Sequence, residues 1–394
     1  MSVAAFVAPG ATLGVLGGGQ LGRMFVHAAQ RLGYRTVVLD PDPASPAGLV
    51  AHEHLRADYL DAAALDRLAE RCAAVTTEFE NVPAAALSTL AARVAVAPGA
   101  AAVAVCQDRA AEKAAFVRGG VACAPHAVIA SRADVERVDA TLLPGILKTA
   151  RLGYDGKGQR TVHDRAALAA AFVALGEVPC VLERRLALAG EISVVVARNA
   201  SGDVVHLPVH DNVHVGGILA VTRVPARAHV DAATQVKAIA LAERLARSLD
   251  YVGVLCVEFF VVEGGALVAN EMAPRPHNSG HHSIDSCDVS QFELQVRTLT
   301  GAPLVAPRRH SAAVMLNLLG DLWFSEGGGP ETPAWDRVLA LPGTHLHLYG
   351  KADARHGRKM GHLTITAASA ADAEANAGEA ARLLGLAPLA TATR

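Results

Sequence analysis

Two acidic residues in neighbouring strands carry the strongest chemical signal in the sequence. Glu258 lies in an apolar run at 254–262, and Asn270 and Glu271 follow a glycine turn at 263–265. If these strands form a hairpin about that turn, the acids become cross-strand neighbours, and two like charges so placed are destabilising without a cation. A core strand rarely carries an unpaired acid. Because carboxylate and amide oxygens suit Mg²⁺, the pattern predicts a metal site beside phosphates.

A glycine-rich turn near the start of the chain suggests a second anion site. Gly17-x-Gly19-x-x-Gly22 stands between an apolar strand and an amphipathic helix, and Asp40 ends the next strand. Taken alone, this setting suggests NAD binding. A dinucleotide is not required, because exposed N–H groups at a helix N-terminus attract any phosphate. A tight turn without a ligand is the structural alternative.

Another glycine-rich segment has the character of a flexible flap over phosphates. Lys148 ends an apolar strand, and Lys157 lies within the loop at 153–158. The segment lacks the GxxxxGK[ST] spacing and a following helix, so it is not a P-loop. An ordinary hairpin with a charged tip is the alternative. Glu183 and Glu191, at the ends of the next strands, are candidates for contacts with nucleotide amino and ribose hydroxyl groups.

The densest polar stretch is at 273–282, where three of six successive positions, 277–282, are histidine. No cysteine or spaced acid completes the usual ligand set, so a loop that binds an anion or a polar substrate is favoured over a transition-metal site. A later turn gathers four cations in nine residues, and a solvated turn is its alternative interpretation. These cations are Lys351, Arg355, Arg358 and Lys359.

The composition narrows the class of partner. The chain has 394 residues, of which 52% are hydrophobic and 19% charged, and this predicts several folded domains. A net charge of -2 without a basic block disfavours nucleic acid and anionic membranes, so an anionic ligand must be held locally. Only six of the 36 Lys and Arg residues are lysine, and four of these lie at the flap or the basic turn. A compact ammonium suits phosphate there.

Targeting and redox signals are weak. The apolar start of the chain has no basic region, and no apolar run is long enough to span a bilayer. The six cysteines form no CxxC pair. We therefore expect reduced thiols, no membrane partner and a cytoplasmic location.

Hydrophobic periodicity predicts the elements that position these residues. Strands and helices alternate as in βαβ units over the first hundred residues, with strands at 12–16, 36–40 and 74–77 and helices at 23–32 and 61–71. A second α/β unit follows, with a strand at 145–149. Antiparallel strands are then predicted at 192–198, 204–208, 218–224, 254–262 and 266–270, with a long helix at 231–249. The last predicted elements are strands at 312–318 and 344–348 and a helix at 370–384.

The order of these motifs resembles the ATP-grasp superfamily. The glycine loop is followed by EFEN at 78–81, Asp108-Arg109, Lys148, YDGKGQ at 154–159, the paired acids and PRPHNSGH at 274–281. The YDGKGQ and PRPHNSGH loops look like those of the 5-(carboxyamino)imidazole ribonucleotide synthases of purine biosynthesis. The resemblance runs from Thr12 to about Thr366. A related formate-using enzyme is similar in outline, but it usually has a Ser-rich segment where this chain has Tyr154 and Asp155, and Asp where this chain has Asn278.

The resemblance implies an α/β ATP-grasp fold in three parts. These are an N-terminal Rossmann-like (preATP-grasp) substrate-binding domain at 1–108, an ATP-grasp domain at 109–305 with a flap subdomain at about 113–182, and a small β-rich C-terminal domain at 306–394. It also implies a homodimer that uses ATP with Mg²⁺ or Mn²⁺.

The activity implied is a carbon–nitrogen ligation. The enzyme would use ATP and bicarbonate to carboxylate 5-aminoimidazole ribonucleotide through carboxyphosphate, release ADP and phosphate, and pass its product to the downstream mutase. Three alternatives stay open: another ATP-grasp ligase such as the formate-dependent glycinamide ribonucleotide transformylase, a non-catalytic ATP-binding protein, and an NAD-dependent oxidoreductase.

The resemblance also implies residue roles, with the first glycine loop facing the ribonucleotide instead of NAD. The metal ligands are Glu258 and Glu271, assisted by Asn270, and the catalytic residues are Tyr154, Asp155, Arg275 and His277. The ATP contacts are Arg109, Lys148, Gly153, Tyr154, Asp155, Gly156, Lys157, Gly158, Gln159, Glu183, Arg184, Arg185, Leu186, Glu191, His214, Asn270 and Glu271. The ribonucleotide contacts are Gly19, Gln20, Leu21, Glu78, Asn278 and Ser279, with Lys351, Arg358 and Lys359 on its phosphate.

Overall fold

Short apolar strands form a parallel sheet at the N-terminal end of the chain. The computed structural model describes residues 6–153, 158–325 and 329–389. The strands are β1 (Thr12–Leu16), β2 (Arg35–Leu39), β3 (Glu53–Leu55), β4 (Ala74–Thr77) and β5 (Ala95–Val96), in spatial order β3-β2-β1-β4-β5. The helices are α1 (Gln20–Arg31), α2 (Ala62–Arg71), α3 (Ala84–Ala91) and α4 (Ala100–Cys106). All strand pairs are parallel, which confirms the predicted βαβ pattern.

A small antiparallel sheet and its helices form the second unit. Asp108 caps the first helix by accepting hydrogen bonds from the backbone N–H groups of Ala110 and Ala111. The helices are α5 (Arg109–Arg118), α6 (Arg132–Arg137) and α7 (Arg165–Ala174). The strands are β6 (His126–Ile129), β7 (Gly145–Thr149), β8 (Gln159–Val162) and β9 (Cys180–Arg184), in order β6-β9-β7-β8. Lys148 and Glu183 lie on the paired strands β7 and β9.

A third sheet runs from the centre of the chain to its C-terminal end. Its strands are β10 (Leu188–Arg198), β11 (Val204–His206), β12 (His210–Val215), β13 (Ile218–Val224), β14 (Gly253–Val262), β15 (Leu267–Ala273), β16 (Ala312–Leu319), β17 (Thr344–Leu348) and β18 (Lys359–Ala367). The order is β15-β14-β10-β12-β13-β16-β18-β17, with β11 beside β10. The accompanying helices are α8 (Ala232–Ser248), α9 (Ser283–Ser286), α10 (Gln291–Thr300), α11 (Trp335–Leu339) and α12 (Ala370–Leu383). Because β13 pairs with β16, the sheet passes through the predicted boundary at residues 305 and 306.

Several hydrophobic clusters bury the faces of these sheets. One lies under α8 and includes Leu245, Leu255 and Phe259, and another lies under α12 and includes Leu316 and Ile365. Val296 and Leu299 of α10 instead pack into the N-terminal sheet, which ties that sheet to the centre of the molecule. No helix within the described residues is long and apolar enough to cross a membrane. All six cysteines are free, as expected.

Two strands of the third sheet were missed by sequence reasoning, and α1 begins at Gln20, earlier than predicted. β12 reads HDNVHV and β18 reads KMGHLTITA, so polar residues stand where a core strand would be apolar. Asn212 and Thr364 are nevertheless buried, because neighbouring strands cover them on both sides.

Four histidines are almost completely buried: His210, His281, His282 and His362 are at most 1% exposed. Burial disfavours the charged imidazolium and holds the pKa of each below its usual value; that of His282 falls to about 3. The folded protein therefore keeps these rings neutral at pH values where the unfolded chain protonates them.

The free energy of unfolding should consequently fall as the pH drops. Since the folded pKa values lie below the unfolded value near 6.5, the stability is complete above pH 6.5 and is lost as the pH falls toward the folded pKa values. Each buried histidine adds a slope of about 1.4 kcal/mol per pH unit within that window. In guanidinium unfolding between pH 4.5 and 7, His282→Gln should reduce the slope by about this amount. His310→Gln, at an exposed position, should leave the slope unchanged; equal slopes for both variants would contradict the burial argument.

Candidate active site

A cleft of about 720 Å³ lies between the N-terminal sheet, the antiparallel sheets and the C-terminal strands. It gathers predicted site residues that are hundreds of positions apart in the chain. Those on its lining are Gln20, Leu21, Glu78, Arg109, Gly153, His214, Glu258, Glu271, Arg275, His277, Asn278, Lys351, Arg358 and Lys359. The cleft therefore brings together the glycine loop, the acid pair, the PRPHNSGH loop and the basic turn.

Other predicted residues lie outside this lining, and their roles stay predictions. They are Gly19, Lys148, Gly158, Gln159, Glu183, Arg184, Arg185, Leu186, Glu191, Asn270 and Ser279. Tyr154, Asp155, Gly156 and Lys157 lie outside the described residues. Sequence reasoning gave no role to several polar lining residues, namely Glu80, Asn81, Gln107, Glu112, His281, Arg355 and His356.

The N-terminal glycine loop is occupied by carboxylates of the protein itself. Glu78 accepts hydrogen bonds of 2.9 Å from the backbone N–H groups of both Gly19 and Gly22, and Asp40 accepts one of 2.7 Å from that of Gly18. Tyr59 also donates to Asp40. The groups that would hold a dinucleotide are therefore already used, and the NAD interpretation is wrong.

The two strand acids face one another, as the hairpin argument predicted. Glu258 on β14 pairs directly with Glu271 on β15, and a register shift next to the pair accommodates Asn270. Burial and the neighbouring Glu271 raise the pKa of Glu258. Burial would also raise the pKa of Glu271, but Arg109 and Lys148 outweigh it and lower that pKa. One site thus holds two carboxylates of very different proton affinity.

Helix α5 holds the strand that carries Glu271. Arg109 donates a hydrogen bond of 3.1 Å to the Glu271 carboxylate, and Lys113 donates one of 2.8 Å to the backbone carbonyl of Asn270. Glu112 accepts from the backbone N–H of Met272. Three residues on one face of the helix therefore form hydrogen bonds with three successive residues of β15.

Lys148 and Lys113 share Glu183 as a partner. Their ammonium groups lie 3.2 and 3.3 Å from its two carboxylate oxygens, and all three side chains are at most 11% exposed. Burial disfavours the charged form of Lys148 and lowers its pKa, although Glu183 opposes this. Glu183 is thus a partner of two lysines, in addition to its predicted nucleotide contact.

His214 and Glu191 form a second charged pair, between β12 and β10. The His214 Nδ1 atom lies 2.7 Å from a Glu191 carboxylate oxygen. Burial alone would lower the pKa of His214, but Glu191 and Glu258 raise it to about 9. His214 is therefore a cation at neutral pH, beside the acid pair.

The PRPHNSGH loop places an imidazole beside the acid pair and a guanidinium on the lining of the same cleft. Arg275 forms an ion pair with Glu80, and the Nε2 atom of His277 lies 3.2 Å from the Glu258 carboxylate. Burial, with Arg275 and Lys359 nearby, holds the pKa of His277 well below its usual value. His277 is therefore a neutral ring that can donate or accept one hydrogen bond at each nitrogen.

The basic turn is continuous with a core strand that the sequence did not predict. Lys351 donates a hydrogen bond of 2.6 Å to the backbone carbonyl of Lys359, the first residue of β18. Arg358 donates to the carbonyl of Asp353. These cations are placed on the cleft because β18 is held between β16 and β17.

Family models match three successive parts of the chain. They describe a ribonucleotide synthetase preATP-grasp domain at residues 10–107, an ATP-grasp domain at 114–292 and a phosphoribosylaminoimidazole carboxylase C-terminal domain at 313–376. The N5-carboxyaminoimidazole ribonucleotide synthase of Brucella melitensis is 44% identical over 362 residues, which cover 90% of this chain and 96% of the relative. The chain belongs to the N5-carboxyaminoimidazole ribonucleotide synthase family. The family member from Bacillus subtilis is 39% identical and covers 91% of this chain and 92% of its own length.

Solved structures of the family share the whole fold. A synthetase in complex with ADP superposes with a TM-score of 0.90 at 37% identity, covering 97% of this chain and 99% of its own. The Aspergillus clavatus synthase with ADP and 5-aminoimidazole ribonucleotide gives a TM-score of 0.86 at 31% identity, with 95% and 98% coverage. The predicted ATP-grasp fold is confirmed, and the chain is an ATP-grasp ligase of this family.

The close approach of Glu78 predicts that a methyl group at Gly19 is not tolerated. A Cβ atom at Gly19 would lie 2.3 Å from a Glu78 carboxylate oxygen. Gly19→Ala should lower the free energy of unfolding by about 1–3 kcal/mol, since overpacking must displace a buried, hydrogen-bonded carboxylate. Gly99→Ala is the matched control, because Gly99 also precedes a helix and has no atom within 4 Å of its Cβ position. Equal thermal stability of the two variants would contradict the prediction.

Proposed function

We propose that this chain carboxylates 5-aminoimidazole ribonucleotide in purine biosynthesis, with ATP and bicarbonate as co-substrates. The observation that carries the proposal is that Glu258, Glu271 and the basic turn all line one cleft. An acid pair can organise a metal-bound triphosphate, and the cations of the basic turn can hold a ribonucleotide phosphate. This chain matches more than nine-tenths of the length of relatives that are named for this reaction.

The acid pair fits a divalent cation. The Oδ1 atom of Asn270 is buried without a hydrogen-bond partner among the described residues, and it belongs to the strand that carries Glu271. An unpaired amide oxygen beside two carboxylates matches the all-oxygen coordination of Mg²⁺ or Mn²⁺. Glu258, Glu271 and Asn270 would hold the ion, which would neutralise charge on the ATP phosphates.

The residues around the ion would position ATP. Lys148 and Arg109 place positive charge next to Glu271, and the loop at 153–159 would cover the triphosphate. Glu183, the residues 184–186 and Glu191 with His214 are assigned to the adenosine part. Covering the phosphates excludes water, which would otherwise hydrolyse a reactive acyl phosphate.

The reaction then follows in two steps. A bicarbonate oxygen attacks the γ-phosphorus of ATP, and ADP leaves as carboxyphosphate forms. The exocyclic amine of the ribonucleotide takes the carboxyl group, from carboxyphosphate directly or from CO₂ released from it, and phosphate leaves. His277 lies beside Glu258, and Arg275 lines the same cleft, so both can donate hydrogen bonds to the oxygens of the reacting carboxyl group. Tyr154 and Asp155 are assigned to the same step.

Other residues of the cleft would hold the ribonucleotide. Gln20, Leu21, Glu78 and Asn278 line the cleft, and Gly19 and Ser279 lie directly beside them in sequence. Lys351, Arg358 and Lys359 would bind its phosphate. The family resemblance further supports a homodimer, a cytoplasmic location and transfer of the product to the downstream mutase.

The proposal requires that ADP formation depend on both carboxylation substrates. With ATP and Mg²⁺ present, sustained ADP release should need bicarbonate, which attacks ATP, together with 5-aminoimidazole ribonucleotide, which consumes the carboxyphosphate that forms. Formate with glycinamide ribonucleotide should not replace them. Turnover that proceeds equally well with formate would assign the chain to the formate-using ligases instead, and the absence of any turnover would favour a non-catalytic ATP-binding protein.

A conservative change in the basic turn should separate the two substrates. Lys359→Arg keeps the charge but replaces a compact ammonium by a planar guanidinium, so it should raise the Michaelis constant for the ribonucleotide more than that for ATP. Lys237→Arg is the matched control, because Lys237 is exposed on α8, away from the cleft lining. Equal increases for both substrates would remove Lys359 from the ribonucleotide phosphate site.

A further inference from the structure

A continuous line of hydrogen bonds runs through the sheet to the back of His277. Thr222 Oγ1 donates to Asn212 Oδ1 at 2.9 Å, and Asn212 Nδ2 donates to Ser193 Oγ at 2.8 Å. The hydroxyls of Ser193 and Ser279 lie 2.8 Å apart, and Ser279 Oγ lies 2.8 Å from His277 Nδ1. The line ends in the cleft, where His277 Nε2 faces Glu258 at 3.2 Å.

This line is sheltered from water. Thr222, Asn212, Ser193 and Ser279 are at most 2% exposed. The first three lie on strands of the third sheet: Asn212 is the direct cross-strand partner of Thr222, and Ser193 is that of Glu258. Ser279 lies in the helical turn at 278–280. We call these four residues, together with His277, the Thr222–His277 relay. The four buried members exchange hydrogen bonds within the protein and not with bulk solvent, so the proton on each hydroxyl is constrained.

The backbone decides which nitrogen of His277 carries the proton. The backbone N–H of Ser279 points at His277 Nδ1 at 3.3 Å, so Nδ1 must be a bare acceptor. The proton of the neutral ring therefore lies on Nε2, toward Glu258. Ser279 must then donate its hydroxyl proton to Nδ1, and it can only accept from Ser193.

The donor and acceptor of every other hydrogen bond in the relay follow from this assignment. Ser193 donates to Ser279 and so accepts from the Asn212 amide nitrogen, and the Asn212 oxygen accepts from Thr222. The opposite orientation of the Asn212 amide would turn the Ser193 proton toward Asn212 and require a proton on His277 Nδ1, against the Ser279 N–H. His210 Nδ1, at 3.3 and 3.2 Å from the two serine hydroxyls, can then only donate.

We propose that Thr222, Asn212 and Ser193 are positioning residues that hold His277 in the Nε2–H form, so that it presents a hydrogen-bond donor to the cleft. Such a ring can hold an anionic oxygen beside Glu258, but it cannot accept a proton at Nε2. The consequence for turnover rests on the proposed function, whereas the tautomer itself does not. The inference thus separates what His277 does from what a histidine base would do.

The tautomer can be measured directly. In protein labelled with ¹⁵N-histidine and free of substrates, the long-range ¹H–¹⁵N spectrum should show His277 with a pyrrole-type Nε2 and a pyridine-type Nδ1, assigned by comparison with His277→Gln. A pyrrole-type Nδ1 in the unsubstituted protein would overturn the proposal, and this measurement needs no substitution in the relay.

A substitution that reverses the direction of the hydrogen bonds in the relay tests its role in turnover. Asn212→Asp replaces the amide donor by an acceptor, so Ser193 must donate to it, and His277 should shift toward the Nδ1–H form. The value of kcat should fall by about tenfold or more, with the Michaelis constant for ATP changed by less than about twofold. Thr222→Ser keeps the hydroxyl donor and should keep both the tautomer and kcat.

The tautomer measurement and the kinetic measurement can each contradict a different part of the proposal. An Nε2–H signal that persists in folded Asn212→Asp protein would overturn the relay. A shifted tautomer with unchanged kcat would overturn its role in turnover. A protein that shows the expected tautomer but no bicarbonate-dependent ADP release would leave the relay intact and remove the proposed function.

Discussion

The buried pair of carboxylates at Glu258 and Glu271 is the constraint on which the site depends. Two like charges on facing strand positions repel, and burial prevents water from screening them. The protein compensates from every side: Arg109 reaches Glu271 from α5, His214 is held protonated near Glu258, and His277 faces Glu258 from the following loop. The compensation leaves the two acids with opposite pKa shifts. A divalent cation would remove the remaining repulsion, which is why the arrangement suits metal-bound ATP.

The need to hold these groups explains features that are remote in sequence. Helix α5 places Glu112 and Lys113 one turn after Arg109, on the same face, and so fixes the strand at 270–272 through side-chain and backbone contacts. Lys113 is the clearest case, since it is completely buried and is shared between Glu183 and the carbonyl of Asn270. It couples the small antiparallel sheet to the acid-bearing strand. The C-terminal strands extend the same sheet, and this continuity brings the basic turn to the cleft.

Much of the fold could be predicted because its strands and helices follow simple periodicities. The strands at 12–16, 74–77, 145–149 and 218–224 were predicted with the observed bounds. The distance to the turn placed Glu258 opposite Asn270 and Glu271, and the register shift in the structure makes Glu271 its direct partner. β12 and β18 were missed because their polar residues are buried by parts of the chain that are distant in sequence, which local hydrophobicity cannot reveal. The Glu78 contacts to the glycine loop escaped for the same reason: 56 and 59 residues separate the partners.

By itself, the sequence determined the chemical inventory of this protein: which acids, amides, lysines and glycines exist, in what order, and therefore to which family the chain belongs. Only the tertiary structure decided how each group is used. The glycine loop serves Glu78 instead of a dinucleotide, and His277 carries its proton on Nε2 because of Ser279 and the residues behind it. Pairing partners, burial and proton positions depend on groups that meet only when distant strands pack. Local sequence encodes residue types and periodicity, whereas the electrostatics of a site arise from all the chain segments that surround it.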